Sequence, residues 1–239
     1  MDLLRNCIHN SHVLTGLVLD RGYPVRAVKK AFDKAGSRQL ETEHRGLTWY
    51  CAQAGISPDG WFIDYLQMQN AAMLSYDYVV GQIGDCHAGL EHNAARVRWA
   101  IDYYLKVFRG ADELCSHGDF SLANIIFADD QVARIIDWEN FNDVMAPEYD
   151  LVYLLTELVL FSFAKVKGRC VPGDRLHKKF MLELDASLGL SEGARRAPAA
   201  WCRAQAMAYG RLKGVDHNKC PFLVAREETI DALDRALGQ

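Results

Sequence analysis

The longest mainly apolar stretch of the chain puts the strongest limit on its fold. It runs from Leu151 to Ala164, 14 residues that include Thr156 and Glu157. A membrane-spanning helix needs about 20 predominantly apolar residues, so this stretch predicts a helix buried in a protein core. The segments around and after it have helical spacing as well. The predicted helices cover residues 150–165, 175–188, 192–213 and 222–237.

The first part of the chain is rich in strand signals. Val13–Leu19 and Tyr23–Phe32 predict the two strands of a hairpin. Helical spacing over Leu40–Ala54 predicts a helix that ends at Gly55. The other predicted elements are a polar loop at 33–38, a strand at 61–68, a largely helical stretch at 71–104 with a break near 81–85, and two short strands at 125–127 and 132–136. A small β-rich part followed by a larger helical part indicates an α+β fold.

Composition and charge exclude several classes of protein. The 31 acidic and 27 basic residues give a formal net charge of -4, so the overall field does not attract nucleic acid or an anionic membrane. The 7 cysteines are scattered without a C-x-x-C pair, which argues against a zinc site or a disulfide framework. The chain does not begin with a basic segment followed by an apolar one. We therefore expect a cytoplasmic protein without stable membrane insertion; the oligomeric state stays open.

A polar motif flanks the two short strands. Residues 116–127 read S-H-G-D-F-S-L-A-N-I-I-F, and residues 134–139 read R-I-I-D-W-E. With the tip of the hairpin at 130–131, Asn124 falls opposite Asp137, and side chains in such a pair lie about 5 Å apart. An amide oxygen and a carboxylate are ligands that suit Mg²⁺, which proteins usually hold together with substrate phosphates. The pair therefore predicts a magnesium site.

Asp119 precedes Asn124 by five residues, at the end of a loop. Beside a metal-bound triphosphate, its carboxylate is suited to orient an attacking hydroxyl and to accept its proton. Taken singly, such an Asp is usually a cap or turn residue, and such an Asn is usually a loop residue. The combination of Asp119, Asn124 and Asp137 favours phosphoryl transfer.

At these residues the chain resembles the aminoglycoside phosphotransferase and choline kinase families, small-molecule relatives of the protein kinases. The resemblance implies that Asp119 is the catalytic base, that Asn124 and Asp137 bind magnesium, and that the nucleotide is ATP or GTP. It also implies that His117 braces the catalytic loop. Protein kinases usually carry Arg at the position of Gly118, so the resemblance points to the small-molecule branch.

The resemblance extends on both sides of this motif. P-E-Y-D-L at 147–151 is similar to a segment whose Asp, here Asp150, holds the catalytic loop through backbone hydrogen bonds. A-V-K at 27–29 and the helix with Glu43 resemble the strand and helix that supply a phosphate-binding Lys and its Glu partner. Lys29 is preferred because Val28 and Phe32 would then share the buried face. The alternatives are Lys30 for the cation, Glu41 for its partner, and two solvent-facing lysines.

Two more segments are interpreted through the same resemblance. Ile63 and Tyr65 lie where the family has the hinge that binds the adenine, and His87 ends a helix and is structural. The implied architecture is a two-lobed protein kinase-like fold, with a reduced β-rich lobe at 1–62 and a mainly helical lobe at 63–239. A Gly-rich phosphate loop is missing, and the polar stretch 6–12 is a weak substitute.

Acceptor recognition is the least determined part. Glu139, Asp143 and Glu148 would form an acidic wall for a cationic amine, and the alternative is that they are solvated loop residues. Four aromatic residues offer stacking faces or belong to the core, namely Trp138, Phe141, Trp201 and Tyr209. Six basic residues lie between 165 and 179, a run that either attracts an anionic group or is a solvated face.

The sequence thus predicts a magnesium-dependent phosphotransferase that moves the γ-phosphoryl group of ATP to a hydroxyl of a small molecule, such as an aminoglycoside, choline or a sugar. The alternative is a kinase-fold module that binds a nucleotide or a partner and transfers nothing or little. A protein kinase is disfavoured by Gly118 and by the short distance between Asp137 and Pro147.

Overall fold

The structure is a computed structural model that describes residues 2–9, 12–57, 59–69, 71–108, 111, 115–142, 144–165, 173–213 and 220–237, with side chains described for all but 2–9, 164, 165 and 213. The chain divides into two compact units. The first comprises Met1–Val80, Val107–Ala111 and Ile136–Phe141, and the second comprises Gly81–Lys106, Asp112–Ile135 and Asn142–Gln239. The expected boundary at 62–63 therefore lies inside the first unit.

The first unit is built on an antiparallel sheet of five strands in the order β1-β2-β3-β5-β4. Its elements are β1 (Asp2–His9), β2 (Val13–Asp20), β3 (Tyr23–Ala31), α1 (Lys34–Ala54), β4 (Ile63–Gln67) and β5 (Ala72–Asp77). The predicted hairpin is confirmed as β2 and β3. The sheet has more strands than the sequence pattern predicts, because that pattern identified neither β1 nor β5.

Helix α1 begins six residues earlier than the sequence pattern indicates. The side chain of Asp33 caps its first turn by accepting a hydrogen bond of 2.8 Å from the backbone nitrogen of Gly36. The polar stretch predicted as a loop is thus the first turn of the helix. At the other end, Gly55 has a φ of 64°, the left-handed conformation that commonly ends a helix. The predicted end of α1 is confirmed.

An aromatic cluster fixes the segment 136–141 in the first unit. The Trp138 ring stacks on Tyr50 of α1 with a centroid distance of 5.3 Å, and it also contacts Trp49 and Phe108. Trp138 is fully buried. The short 3-10 helix Trp138–Asn140 is therefore anchored by aromatic packing, which holds the residue before it, Asp137, at a defined place.

The second unit is mainly helical and contains a small antiparallel sheet in the order β6-β7-β8. Its elements are β6 (Gln82–Ile83), α2 (Ala94–Phe108, whose last two residues belong to the first unit), β7 (Ile125–Ala128), β8 (Gln131–Ile135), α3 (Tyr149–Lys165), α4 (Asp174–Leu188), α5 (Glu192–Arg196), α6 (Pro198–Lys213), α7 (Pro221–Val224) and α8 (Glu227–Leu237). Short 3-10 helices lie at Cys86–Ala88 and Leu122–Asn124.

The helical predictions after residue 150 are largely confirmed, and one upstream is wrong. The helix expected over the apolar run is α3, and the expected helix at 192–213 is divided into α5 and α6 before Pro198. The stretch 71–104 is not one long helix, because it contains β5, β6 and a 3-10 turn before α2 begins at Ala94. With an antiparallel sheet in each unit and most other elements helical, the fold class is α+β. No helix in the described parts of the chain is long and apolar enough to cross a membrane.

Candidate functional site

The first unit contains a buried ion cluster made by three residues that are distant in sequence. The Nζ atom of Lys29 lies 2.7 and 2.8 Å from the two carboxyl oxygens of Glu43. The same Nζ donates a hydrogen bond of 2.5 Å to Oδ1 of Asp137. Lys29 on β3 is 7% exposed and Glu43 on α1 is fully buried, whereas the side chain of Asp137 is 35% exposed. Asp137 is therefore the accessible member of the cluster.

The secondary structure explains why these side chains meet. Successive residues of β3 point to opposite faces of the sheet, so Lys29 is buried while Lys30 is exposed. On α1, Glu43 lies on the same face as the buried Leu40 and Leu47, at helical spacing. The expected pairing of Lys29 with Glu43 is thus present in the structure. Val28 and Phe32 do not share a buried face as expected, because half of the surface of Phe32 is exposed.

Glu41, the alternative partner, is exposed on α1. The structure therefore separates the two acids of this turn, one buried against the cation and the other in solvent.

Burial and charge act against each other in this cluster. Burial favours the neutral form of Lys29, but the carboxylates of Asp137 and Glu43 outweigh it and raise the pKa of Lys29 well above its ordinary value. Burial raises the pKa of Glu43 to about 7, and the nearby Asp137 contributes to this shift against the attraction of Lys29. Lys29 stays protonated at neutral pH, with two carboxylates competing for one ammonium group.

Asp137 has a backbone conformation that is rare for a residue with a side chain. Its φ and ψ are 63° and 54°, in the left-handed region that costs on the order of 1 kcal/mol for an ordinary residue. The Asp137 carboxylate accepts the hydrogen bond from Lys29. Two residues later, Glu139 accepts a short hydrogen bond from Gln39 of α1. Glu139, predicted as part of an acidic wall, is thus engaged within the first unit.

The second unit contains the loop with the H-G-D motif, and Asp150 anchors it. The carboxylate of Asp150 accepts hydrogen bonds from the backbone nitrogens of His117 at 2.7 Å and Gly118 at 3.0 Å, and from the hydroxyl of Tyr104 at 3.0 Å. Burial raises the pKa of Asp150, and its hydrogen bonds oppose the shift. The structure therefore contains the loop contacts that were expected of Asp150.

His117 and Gly118 shape this loop. His117 is buried, and its Nδ1 accepts a hydrogen bond of 3.3 Å from the backbone nitrogen of Asp119. Gly118 has a φ of 81°, a conformation that residues with a Cβ rarely adopt. The glycine is thus required by the turn that brings the backbone of the loop onto Asp150.

Both carboxyl oxygens of Asp119 are held by side chains. Oδ1 accepts a hydrogen bond of 2.8 Å from the hydroxyl of Tyr153, and Oδ2 accepts one of 3.2 Å from Nδ2 of Asn124. Nδ2 of Asn124 also donates to the backbone oxygen of Asp119 at 2.9 Å. Because the amide nitrogen of Asn124 is directed at Asp119, its amide oxygen is the atom that remains for a cation. Asp119 itself is partly exposed.

Sequence reasoning missed two residues of this arrangement. Tyr153 and Glu157 lie one turn apart on α3, and the Tyr153 hydroxyl is 3.3 Å from Oε1 of Glu157. Burial raises the pKa of Glu157 to about 8, and the charge of Asp119 adds to the shift. The available signal was a lone acid inside a 14-residue apolar run, because such a residue is buried when the run forms a core helix.

The hairpin before Asp137 has a different register from the one expected. Asp129 and Asp130 form the tip, both with positive φ, as a two-residue turn of this kind requires. A shift between Ile126 and Phe127 follows, and the ladder ends at the pair Ile125 and Ile135. Asn124 lies in a 3-10 helix before the ladder. The predicted cross-strand pair of Asn124 and Asp137 is therefore not part of this hairpin.

The segment interpreted as an interlobe hinge is an edge strand instead. Ile63 and Tyr65 lie in β4, where they pair with Tyr76 and Leu74 of β5. The chain leaves the first unit only after Val80. The placement of the hinge at Ile63 and Tyr65 is wrong, because β5 and β4 complete the sheet before the second unit begins.

The remaining candidates have ordinary structural surroundings. Glu148 accepts a hydrogen bond of 3.4 Å from the backbone nitrogen of Ser191. Trp138, Phe141 and Tyr209 are buried, which favours the core interpretation, and Trp201 is partly exposed. His87 lies in a 3-10 helix rather than at a helix end, and its ring contacts Phe161. Asp143, residues 10 and 11 of the polar stretch 6–12, and residues 166–172 of the basic run lie outside the described residues; residues 6–9 are part of β1.

Within the described residues, no group of three or more His, Cys, Asp or Glu side chains is arranged to hold a metal ion. No protein-family model matches the chain, and no curated protein matches it.

Proposed function

We propose that the protein is a magnesium-dependent phosphotransferase that moves the γ-phosphoryl group of ATP to a hydroxyl of a small molecule. The observation that carries the proposal is the Lys29 ammonium group, buried and held 2.7–2.8 Å from Glu43 and 2.5 Å from Asp137. These are the residues that the resemblance to the aminoglycoside phosphotransferase and choline kinase families assigns to phosphate and magnesium. The two-lobed kinase-like fold is part of the same proposal.

The Lys29 ammonium group is the part of this cluster that suits a phosphate. One protonated Lys29 faces two carboxylates, so the cluster has a net charge of -1 when both acids are ionised, and a cation such as Mg²⁺ at Asp137 would offset that charge when a phosphate binds. Glu43 is fully buried and keeps the ammonium in place. Asp137 is exposed enough to exchange its partner, which leaves Lys29 available to a phosphate oxygen. A Lys held by a Glu in this way is a recurring part of phosphoryl-transfer sites.

The side chains assigned to magnesium fit that ion chemically. Asp137 offers a carboxylate and Asn124 an amide oxygen, both of which are hard oxygen donors. Bound Mg²⁺ neutralises charge on the phosphates and orients them. Asp137 and Asn124 belong to different units, so the assignment of both to one ion rests on the resemblance.

Asp119 is the proposed base. It lies on a loop fixed by Asp150, and its carboxylate is oriented by Tyr153 and Asn124 while part of it remains exposed. In the proposed reaction it orients the acceptor hydroxyl and takes its proton as the oxygen attacks phosphorus. Candidate acceptors are aminoglycosides, choline, sugars and related hydroxyl compounds, with Glu139 and Glu148 as acidic groups that would favour a cationic one.

The test is a phosphotransfer screen with radiolabelled γ-phosphate ATP, Mg²⁺ and panels of amines, sugars, nucleosides and lipid-linked acceptors. Asp119→Asn and Asp137→Ala should each lower turnover by at least about 100-fold, since a positioned base or a metal ligand contributes on that order. The exposed neighbours give matched controls, and Lys30→Met and Glu41→Gln should leave turnover unchanged. Equal turnover by the wild-type protein and both Asp variants would refute the proposal.

The second candidate is a nucleotide-binding module that transfers little or nothing. The direct contact between Lys29 and Asp137 favours it, because the carboxylate assigned to magnesium is here engaged by a protein cation. Thermal denaturation with Mg-ATP separates the possibilities in combination with the screen. Stabilisation by Mg-ATP without transfer to any acceptor identifies the binding module, and stabilisation with transfer identifies the enzyme.

A further inference from the structure

A single hydroxyl group lies between two acids in the second unit. The hydroxyl oxygen of Tyr153 is 2.8 Å from Oδ1 of Asp119 and 3.3 Å from Oε1 of Glu157. A tyrosine hydroxyl has one hydrogen to donate and can accept as well. Only one of the two carboxyl groups can therefore receive that hydrogen, and the shorter distance assigns it to Asp119.

The contact between Tyr153 and Glu157 then needs a hydrogen from Glu157. If Glu157 were ionised, its Oε1 and the Tyr153 hydroxyl oxygen would both be acceptors, with no hydrogen between them. The second carboxyl oxygen of Glu157, Oε2, is buried and has no hydrogen-bond partner among the described residues, and Glu157 is only 4% exposed. An ionised carboxylate in such a position is much more costly than a neutral one. The geometry thus indicates a protonated Glu157.

The surroundings of Glu157 support the neutral form. The described groups that act on this part of α3 are Asp119 from the loop, Tyr153 from α3 itself, Cys86 from the 3-10 helix, Cys202 from α6 and Cys220 before α7, and none of these is a cation. On α4, His177 lies against Thr156 and is neutral, and the neighbouring cation Lys178 acts on His177. Asp234 of α8 is hydrogen-bonded to the backbone of α6. Burial, with the charge of Asp119, raises the pKa of Glu157 to about 8.

We propose that Tyr153 and Glu157 are positioning residues for Asp119, in which Glu157 donates its hydrogen to Tyr153 and thereby directs the Tyr153 hydrogen to the Asp119 carboxylate. The role in catalysis rests on the proposed function, in which Asp119 is the base. Hydrogen bonds in such a chain polarise and strengthen one another. The Asp119 carboxylate is then held at Oδ1 by Tyr153 and at Oδ2 by Asn124, and ionisation of Glu157 would draw the Tyr153 hydrogen away from it.

The first readout uses the free protein and needs no acceptor. Carboxyl carbon NMR of a sample labelled at Glu, with Glu157→Gln to assign the signal, follows the ionisation of Glu157. We expect a neutral Glu157 at pH 7 that titrates near pH 8, and an upward-shifted pKa that persists in Tyr153→Phe. A Glu157 that is ionised at pH 6 would overturn the inference, whatever the protein turns out to catalyse.

The second readout is the pH profile of Mg-ATP turnover, with water or an accepted small molecule as the phosphoryl acceptor. Tyr153→Phe and Glu157→Leu should lower kcat about tenfold, the value of one hydrogen bond to a charged group, with little change in KM for Mg-ATP. Glu157→Gln keeps a hydrogen-bond donor toward Tyr153, so its kcat at neutral pH should match that of the wild-type protein. Above pH 8 the kcat of the wild-type protein should decline as Glu157 ionises, and the kcat of Glu157→Gln should not. Far-UV circular dichroism confirms that each variant is folded.

A matched control lies one turn earlier on the same helix. The Tyr149 hydroxyl is buried without a hydrogen-bond partner among the described residues, and the Tyr149 ring packs beside Tyr153. Tyr149→Phe should leave kcat unchanged. If Tyr153→Phe behaves like Tyr149→Phe while Asp119→Asn abolishes turnover, the inference fails and the proposed function stands. If Asp119→Asn has no effect, the proposed function fails, and the NMR titration alone decides whether Glu157 is the donor.

Discussion

Replacing Lys29 with Met should destabilise the first unit strongly, and more so at alkaline than at acidic pH. Met matches the length of the lysine stem but removes the ammonium group that lies 2.7–2.8 Å from the Glu43 oxygens. Glu43 is fully buried, so no solvent replaces that partner. Breaking a buried ion pair by removing one member costs about 3–5 kcal/mol, because the other charge is left uncompensated. We expect a loss of about 3 kcal/mol at pH 8.

The pH dependence follows from the pKa of Glu43. It is about 7 in the folded protein against an ordinary value of 4.5, so the folded state binds a proton that the unfolded chain releases between these values. This contribution to the free energy of unfolding is complete below pH 4.5 and is lost as the pH rises through 7. In Lys29→Met the pKa of Glu43 rises further, so the free energy of unfolding of that variant continues to fall above pH 7. The difference between the wild-type protein and Lys29→Met should therefore widen by at most about 1.4 kcal/mol, from about 1.5 kcal/mol at pH 5 to about 3 kcal/mol at pH 8.

Urea denaturation followed by tryptophan fluorescence measures this difference in the first unit. Of the five tryptophans, Trp49, Trp61 and Trp138 belong to the first unit. In a background with Trp99→Phe and Trp201→Phe, the signal comes from that unit alone. Lys30→Met is the control, because Lys30 is the exposed neighbour on the same strand, and it should change the free energy of unfolding by less than about 0.5 kcal/mol.

Two results would refute the reasoning. One is a Lys29→Met protein that is as stable as Lys30→Met at pH 8, which would mean that the buried pair contributes nothing. The other is an equal loss at pH 5 and pH 8, which would mean that Glu43 does not ionise in this range. The double variant Lys29→Met with Glu43→Leu should recover most of the lost stability, since an apolar pair of similar size leaves no buried charge.

Two further predictions concern packing and acid stability. Gly46→Ala should destabilise the first unit by about 1–3 kcal/mol in the same denaturation assay, because the added Cβ would lie 2.6 Å from Cβ of Trp138 and 2.8 Å from Cβ of Phe141. Gly60→Ala, whose Cβ meets only ordinary contacts, is its control. Burial, with the charge of Lys178 adding to it, lowers the pKa of His177 to about 4, so the unfolded chain binds a proton between pH 6.5 and 4 that the folded protein does not. The free energy of unfolding should thus fall by up to about 3 kcal/mol over that range relative to His177→Leu, and parallel slopes for the two proteins would contradict this.

The sequence predicts an element correctly where the interactions that form it lie among neighbouring residues. The apolar run predicts α3 with nearly the observed bounds, Tyr149–Lys165, because no Pro or Gly interrupts it. The hairpin of β2 and β3 follows from two β-rich runs around Arg21 and Gly22, both of which have positive φ. The end of α1 follows from Gly55. In each case the determining interaction lies within a few residues of the signal.

Local patterns failed where an element depends on a distant partner. Strand β5, Ala72–Asp77, forms between β3 and β4, and its pairs with β3 join residues more than 40 positions apart. Nothing in the sequence near Ala72 contains that information, and the apolar residues around it fit a helix equally well. The predicted tip of the hairpin, Asp130 and Gln131, is displaced by one residue from the observed one. The cause is local, because two consecutive aspartates with positive φ are unusual.

The candidate site residues also divide into those that a local motif identifies and those that it does not. Lys29, Glu43, Asp119 and Asp150 were found through motifs whose residue types are required at fixed spacing, and the structure brings Lys29 to Glu43 and Asp150 to the loop of Asp119. Ile63 and Tyr65 were misplaced because a hinge has no such requirement, since any residue supplies a backbone group. Sequence resemblance is thus informative for side-chain chemistry and weak for contacts made by the main chain.

Glu157 was noticed in the sequence only as a reason why the apolar run does not span a membrane. A carboxyl group in the middle of a buried helix has three ways to avoid an isolated charge: a cation, a set of donors, or a proton of its own. Salt bridges of the described residues include no cation on Glu157, and Tyr153 has one hydrogen, which the nearer Asp119 takes. The proton is what remains. A neutral acid one turn from Tyr153 is able to donate, and the residue it reaches through Tyr153 is the proposed base.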